Sequence, residues 1–468
     1  MDLFTIIAAI ILAVSFLGFV VWNFKGRNLL VGLIIITSIW TVLGITNNMI
    51  GATGDTSAWN MIMDGITEVF HFGPVDYGET TAIIIFASWF GAVLVETGIA
   101  SSLIRRVVEL AGDKQLITLL LVSIVTAGIF MSVFGAGSVI AIGQIILPIF
   151  FSLGIAKPLA VGAFIFAVAG GMYVNGGYIS QFTGHVFFAP LFEQDINGTV
   201  SNFNTWTWAA TAVHLTIMVI FIVFTYFRTK DSVRTWAMPA NNQQNAPGYT
   251  FIVPFIPVLM TLGTNIAGFW IEGLQGFSVI FSFMVGIFFG LLLTNSLGTY
   301  SSAIENVQKT LQKGISDSAL LIGMLMFMNA FSKSAGLVAP IISNALGGSL
   351  DWIVSNPLIL VLIVMLLAPL ALYRGPFMIW GAGIALVSVL NAVMTNGDAS
   401  LTGTFPLLLV LFYMQPVAIT ASTGPTQSWN LWALSYSGYE PRDFTKTNLP
   451  WGWAIAAINI FLGYLLLV

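Results

Sequence analysis

The sequence predicts an all-α polytopic membrane protein with about ten transmembrane helices and two re-entrant hairpins, arranged as two inverted repeats. Three observations predict it. Of 468 residues, 57% are hydrophobic and 7% charged, with a mean hydropathy of +0.94, whereas soluble domains carry about 25% charged residues. Apolar runs of about 20 residues, the length that crosses a bilayer, recur from end to end. A glycine-rich interruption followed about 40 to 50 residues later by a second occurs twice, in halves that the Lys/Arg loops orient oppositely.

Composition also excludes. The chain has no cysteine, so disulfides, thiolate catalysis and Cys-ligated metal fall away. His71, His185 and His214 are too scattered to resemble a metal site. No polar stretch reaches the size of a soluble domain. Gly170-Gly171 and Gly347-Gly348 lack the strand, lysine and spacing of nucleotide loops. Neither a cofactor nor a nucleic-acid partner is expected. Met1-Asp2 lacks the positive start of a cleavable signal peptide, so the first span is expected to be retained.

Taken in order, Leu3–Trp22 and Leu29–Ile45 span, joined by Lys25 and Arg27. The stretch Asn47–Glu79, with Asp55, Asp64, Glu68, Asp76 and Glu79, reads as a polar outer loop. Thr80–Ala100 spans inward to Arg105, Arg106 and Lys114. A hairpin over 116–153 is interrupted at Phe134-Gly135-Ala136-Gly137-Ser138, and a broken helix over 160–188 at Val174-Asn175-Gly176-Gly177-Tyr178. Trp206–Phe227 ends this first half, residues 1–238. The segment 239–249 reads as a cytoplasmic linker.

The second half, 250–468, begins with spans over Thr250–Trp270 and Phe277–Leu297. Ser301–Gly314 reads as an amphipathic surface arm. Ala319–Leu346 spans, interrupted at Ser332-Lys333-Ser334-Ala335-Gly336. A hairpin over 357–394 has Arg374-Gly375-Pro376 at its tip. A broken helix over 404–432 is interrupted at Ser422-Thr423-Gly424-Pro425-Thr426, and Trp451–Leu467 leaves. Positive loops belong in the cytoplasm, which puts both termini outside a cell membrane.

The breaks carry the candidate chemistry. Unwound helices present bare N–H and C=O groups, which suit anions and Na⁺ respectively. Arg374, in the middle of apolar sequence, needs an anion, a carboxylate or water. The candidate substrate site is therefore Arg374, Gly375, Gly135, Gly137, Ser138, Asn175, Gly176, Ser422, Thr423 and Thr426. Ser138, Asn175, Thr423 and His185 are candidates for a coupling Na⁺ or H⁺. Glu96 and Lys333, in similar places of the two halves, read as snorkelling residues, an ion pair or a gate.

From Phe134-Gly135-Ala136-Gly137-Ser138-Val139-Ile140-Ala141 through Leu147-Pro148-Ile149 to Ser152-Leu153-Gly154-Ile155, the chain resembles the ion transporter superfamily, nearest its gluconate-permease and citrate-transporter branches. The resemblance implies a homodimer with a scaffold and a moving transport part. It also implies organic carboxylates coupled to H⁺ or Na⁺, and elevator-like alternating access. Its dicarboxylate carriers show Ser-Asn-Thr at the hairpin tips, where this chain has Gly-Ala-Gly-Ser and Arg-Gly-Pro. The expectation is a secondary importer of a small organic anion. A Na⁺/H⁺ antiporter, or a carrier of a neutral or zwitterionic metabolite on the same scaffold, is the alternative.

Overall fold

The computed structural model describes residues 3–52, 57–112, 114–195, 198–229, 246–268, 271, 276–346, 356–395 and 405–467. These residues are helical almost throughout, with no strand among them. Among the described residues, seven helices are long and apolar enough to cross a membrane, eight if the bent pair at the first break counts as one span. Residues 239–245 of the expected linker, and the outer markers Asp351 and Asp398, lie outside the described residues.

Helices α1 (Leu3–Phe24) and α2 (Leu29–Gly51) form the first pair. The Asn28 side chain caps α2 by accepting from the Val31 N–H at 3.1 Å, satisfying one of the donors a helix start leaves open. The expected polar loop after α2 is instead largely helical. A helix α3 (Ala58–Ile66) runs on through a π-helical turn (Thr67–Phe72) to Gly73–Val75. Two of its acids are held: Lys333 pairs with Glu68 at 2.7 Å and Asp76 at 2.8 Å. Helix α4 (Gly78–Glu96) and the amphipathic α5 (Ile99–Ala111) follow.

The first hairpin is α6 (Gln115–Phe130) and α7 (Ala136–Ser152), and the first broken helix is α8 (Lys157–Met172) and α9 (Gly176–Thr183). The two halves of that helix are bent by 54°. Helix α10 (Thr199–Thr229) closes the first half. After α11 (Ile256–Gly268) and α12 (Val279–Leu293) comes α13 (Tyr300–Leu346), 47 residues without a break. Two expectations fail here. The surface arm and the following span are one helix, and Ser332–Gly336 does not interrupt it. The Ser332 and Ser334 hydroxyls bond to the Met328 and Phe331 carbonyls within the helix, and the small side chains serve close packing.

The second hairpin is α14 (Pro357–Leu367), a 3-10 segment Ala368–Arg374, a π turn Ile379–Gly383 and α15 (Ile384–Thr395). The second broken helix is α16 (Phe405–Gln415), a π turn Pro416–Ala421 and α17 (Ser428–Ser437); α18 (Pro441–Leu467) ends the chain.

Corresponding elements of the halves pack on each other: α4 on α13, α10 on α18, and α8 on the π turn of the second break. Trp89 donates to Thr310 at 3.0 Å across the first pair, and Trp206 to the Asn459 carbonyl at 2.9 Å across the second. At the breaks the exchange is reciprocal: Tyr178 donates to the Tyr413 carbonyl at 2.7 Å, and Tyr413 to the Tyr173 carbonyl at 2.6 Å. Like meeting like is what a pseudo-two-fold between inverted repeats produces.

The α4–α13 pair also gives a depth scale. At one end Glu96 pairs with Lys309 at 2.7 Å and with Lys313; at the other Lys333 holds Glu68 and Asp76. Lys313 and Lys333 are about twenty residues apart on one helix, or roughly 30 Å at 1.5 Å per residue, the thickness of a bilayer's hydrocarbon core. Glu96 and Lys333 are thus ion-pair anchors at opposite faces. Replacing Lys333 with Met leaves two neighbouring carboxylates unneutralised. Because these acids are partly exposed, the expected destabilisation is about 1–2 kcal/mol, between exposed and buried pairs. It is read as a lower unfolding temperature in detergent, with Lys333→Arg near wild type.

Candidate functional site

Both hairpin tips and both breaks border one cavity of about 260 Å³. Phe134, Gly135 and Ala136 come from the first tip, Tyr178 and Gln181 from α9. Arg374, Met378 and Trp380 come from the second tip, and Pro416, Ala421, Gln427, Ser428 and Trp429 from the second break. Helix α13 supplies Asp317, Ser318, Leu320, Leu321 and Met324. The Arg374 guanidinium reaches Met324 Sδ at 3.8 Å. Met324 stands about halfway between Lys313 and Lys333, which puts Arg374 roughly 15 Å from either face.

The second tip is built around that guanidinium. Tyr373 and Arg374 have φ of 54° and 59°, the left-handed region that costs non-glycine residues about 1–2 kcal/mol each and clusters at functional sites. Arg374 Nη1 donates to the Trp380 carbonyl at 3.1 Å, pinning the side chain across its own turn. None of the ion pairs among the described residues includes Arg374. Two indoles on the same wall, Trp380 and Trp429, keep buried N–H groups without a protein acceptor.

The first tip is tied to its break through Asn175. Its Nδ2 donates to the Phe130 and Val133 carbonyls, both at 2.9 Å, and its Oδ1 accepts from the Gly177 and Tyr178 N–H groups at 2.9 and 3.3 Å. Two donors and two lone pairs are all an amide has, so Asn175 joins backbone to backbone and is no ligand. At the second break Asn430 does related work, donating to the Ala421 and Gly424 carbonyls at 2.8 and 2.9 Å, while Asn448 donates to the Ser422 carbonyl at 3.1 Å. Thr420 ties that break to the second tip through the Ala371 carbonyl at 3.2 Å.

Of the residues expected from sequence, Arg374 and Gly135 line the cavity. Gly135 has φ 106°, which favours glycine. Gly375 is buried behind Arg374, where a side chain would strike the Leu370 carbonyl. Gly137 is also behind the wall, because a methyl group there would collide with the Asp317 carboxylate. Ser138 faces Gly91 of α4. The Ser422 and Thr423 hydroxyls donate to the Val417 and Ile419 carbonyls at 2.8 and 2.7 Å, so both are turned into their own helix. Gly176 lies on the opposite face of the break, in a separate cavity of about 180 Å³ beside α10 and α12. His185 is away from the site: its Nδ1 accepts from the Phe187 N–H at 3.3 Å, which assigns the proton to Nε2, facing Ser332 Oγ at 3.2 Å.

Thr426 lines an adjoining vestibule of about 360 Å³ that shares Leu320, Met324 and Arg374 with the central cavity and is bordered at its far end by Gly26, Arg27 and Asn28 of the exposed α1–α2 loop. The site is therefore approached from the Lys/Arg-bearing face, past a second guanidinium. The chain has no native cysteine, so Thr426→Cys should react with a membrane-impermeant thiol reagent added to that face and not to the other. The buried Ser422→Cys should react from neither.

Sequence reading missed Asp317, Gln181, Ser318 and the two indoles. Asp317 fell at the boundary between the expected surface arm and the expected span. Its spacing of four residues from Lys313, on an uninterrupted 3.6-residue pattern, is the signal that one helix continues there.

No protein-family model matches the chain, and no curated protein matches it. Among solved structures it is similar to the YdaH transporter of Alcanivorax borkumensis, whose crystal structure revealed an unusual topology. The TM-score is 0.62 at 14% sequence identity, covering 92% of this chain and 97% of that one. The chain is a multi-pass helical membrane protein with the fold of a membrane transporter.

Proposed function

We propose that the protein is a secondary active transporter of a small organic carboxylate, coupled to H⁺ or Na⁺ and working by elevator-like alternating access. The observation that carries the reading is Arg374: a guanidinium at mid-depth, outside any ion pair among the described residues, on a strained tip in a cavity where all four breaks meet. A cation so placed is costly unless an anion joins it, and a fork-shaped donor matches a carboxylate bidentately. With about 260 Å³ the cavity is below the range of drug-sized sites, so the solute is small. The likeness to a transporter fold supports the class of activity.

The rest of the proposal is the membership of the ion transporter superfamily, a homodimer, and insertion in the cell membrane with the basic loops cytoplasmic and both termini outside. The test is uptake of radiolabelled carboxylates into proteoliposomes under an imposed H⁺ or Na⁺ gradient. Accumulation that collapses with one ionophore and not the other supports the reading and names the coupling ion. A panel of small carboxylates that never exceeds protein-free liposomes overturns it.

A further inference from the structure

The same cavity holds a second charged group, of opposite sign. Asp317 lines it, and its carboxylate rests against Gly137 in the first turn of α7. It belongs to none of the ion pairs among the described residues; the neighbouring Lys313 is engaged by Glu96. Asp317 and Met324 are about seven residues apart on α13, two turns, so they share a face about 10 Å apart along the axis. Met324 is the residue the Arg374 guanidinium touches. Between the two poles lie Leu320 and Leu321 of the same helix face, with Phe134 opposite.

We propose, resting on the carboxylate reading above, that the solute carries a cationic group at its far end: an ω-amino carboxylate whose carboxylate meets Arg374 and whose ammonium meets Asp317. Asp317 and the residue that Arg374 touches stand two turns apart on α13, so the solute's two charges belong at its opposite ends and not on adjacent atoms. An α-amino acid, with adjacent charges, reaches one pole only. The apolar strip between the poles receives the methylenes, and without an ammonium the half-buried Asp317 has only the field of Lys313 one turn away and no contact partner among the described residues, which discriminates against plain carboxylates.

The test is counterflow in proteoliposomes without any ion gradient, so that coupling does not enter. Labelled 4-aminobutanoate, 5-aminopentanoate and 6-aminohexanoate are compared with butanoate, pentanoate and hexanoate. Wild type is expected to exchange an amino carboxylate at least tenfold faster than the plain acid of equal length. Asp317→Asn is expected to lose that preference while still exchanging the plain acid. The wild-type ratio needs no variant, so a misfolded Asp317→Asn leaves it decisive. Arg374-dependent exchange of plain acids with no preference for amino acids overturns the ammonium pole and leaves the carboxylate reading standing. Loss of both classes in a monodisperse Asp317→Asn protein also overturns it. Exchange of neither class by wild type overturns both.

Discussion

Arg374→Met is expected to abolish carboxylate transport while leaving the unfolding temperature unchanged or raised. Truncating one partner of a desolvated charge pair costs about 2–5 kcal/mol of affinity, so uptake at sub-saturating solute should fall about 30-fold or more. Stability moves the other way because no carboxylate of the described protein pairs with this guanidinium. Its one backbone acceptor, the Trp380 carbonyl, is worth about 1 kcal/mol, against the several kcal/mol that an unpaired cation costs at mid-membrane. Arg374→Lys keeps the charge and loses the fork, so partial activity is expected. A structural arginine would show the reverse pattern, lower stability with proportionate loss of uptake. Uptake in liposomes and thermal unfolding of the same preparations separate the two.

Asn175→Leu is expected to give the largest loss of stability of any single change in the site. The substitution removes two donated and two accepted hydrogen bonds at a fully buried position. It strands the Phe130 and Val133 carbonyls and the Gly177 N–H where water is scarce, and leaves the Tyr178 N–H with the backbone carbonyl of residue 175 alone. At about 1 kcal/mol per bond, with desolvation penalties added, the expected cost is about 4 kcal/mol or more. It is seen as failure to purify a monodisperse protein, or as a large fall in unfolding temperature. Asn175→Asp keeps both acceptors and loses both donors, and should fall between. Were Asn175 a ligand instead, the Leu variant would unfold normally and only transport would fail.

These two residues mark what the sequence made legible. The breaks were readable because their causes are local: Gly135 needs a positive φ, Asn175 is a helix cap, and Gly375-Pro376 cannot continue a helix. Charge segregation then oriented them, and α4 against α13 with α10 against α18 is the pairing that inverted halves require. What each polar side chain faces was not local. Asn175, Ser422 and Thr423 carry the oxygens a cation site needs, yet in the fold the Asn175 amide serves backbone groups of the first tip and break, and the Ser422 and Thr423 hydroxyls donate into their own helix. Small residues misled in the other direction at Ser332–Gly336, where packing against neighbours kept α13 whole. The acidic stretch before α4 looked like loop because its partner, Lys333, is more than 250 residues away. Asp317 was hidden for a related reason: an amphipathic arm and an apolar span were divided at a boundary that the helix ignores.

The central claim is that one mid-depth cavity, closed by two hairpin tips and two interrupted helices, holds a carboxylate on Arg374. A density map of the protein in lipid nanodiscs with a transported carboxylate bound tests it most directly. The account predicts solute density in contact with the Arg374 guanidinium, bounded by Gly135 on one side and Trp380 and Trp429 on the other, about midway between the Lys313 and Lys333 levels. Density on the far face of the first break beside Gly176, or a carboxylate held with no contact to Arg374, would contradict it.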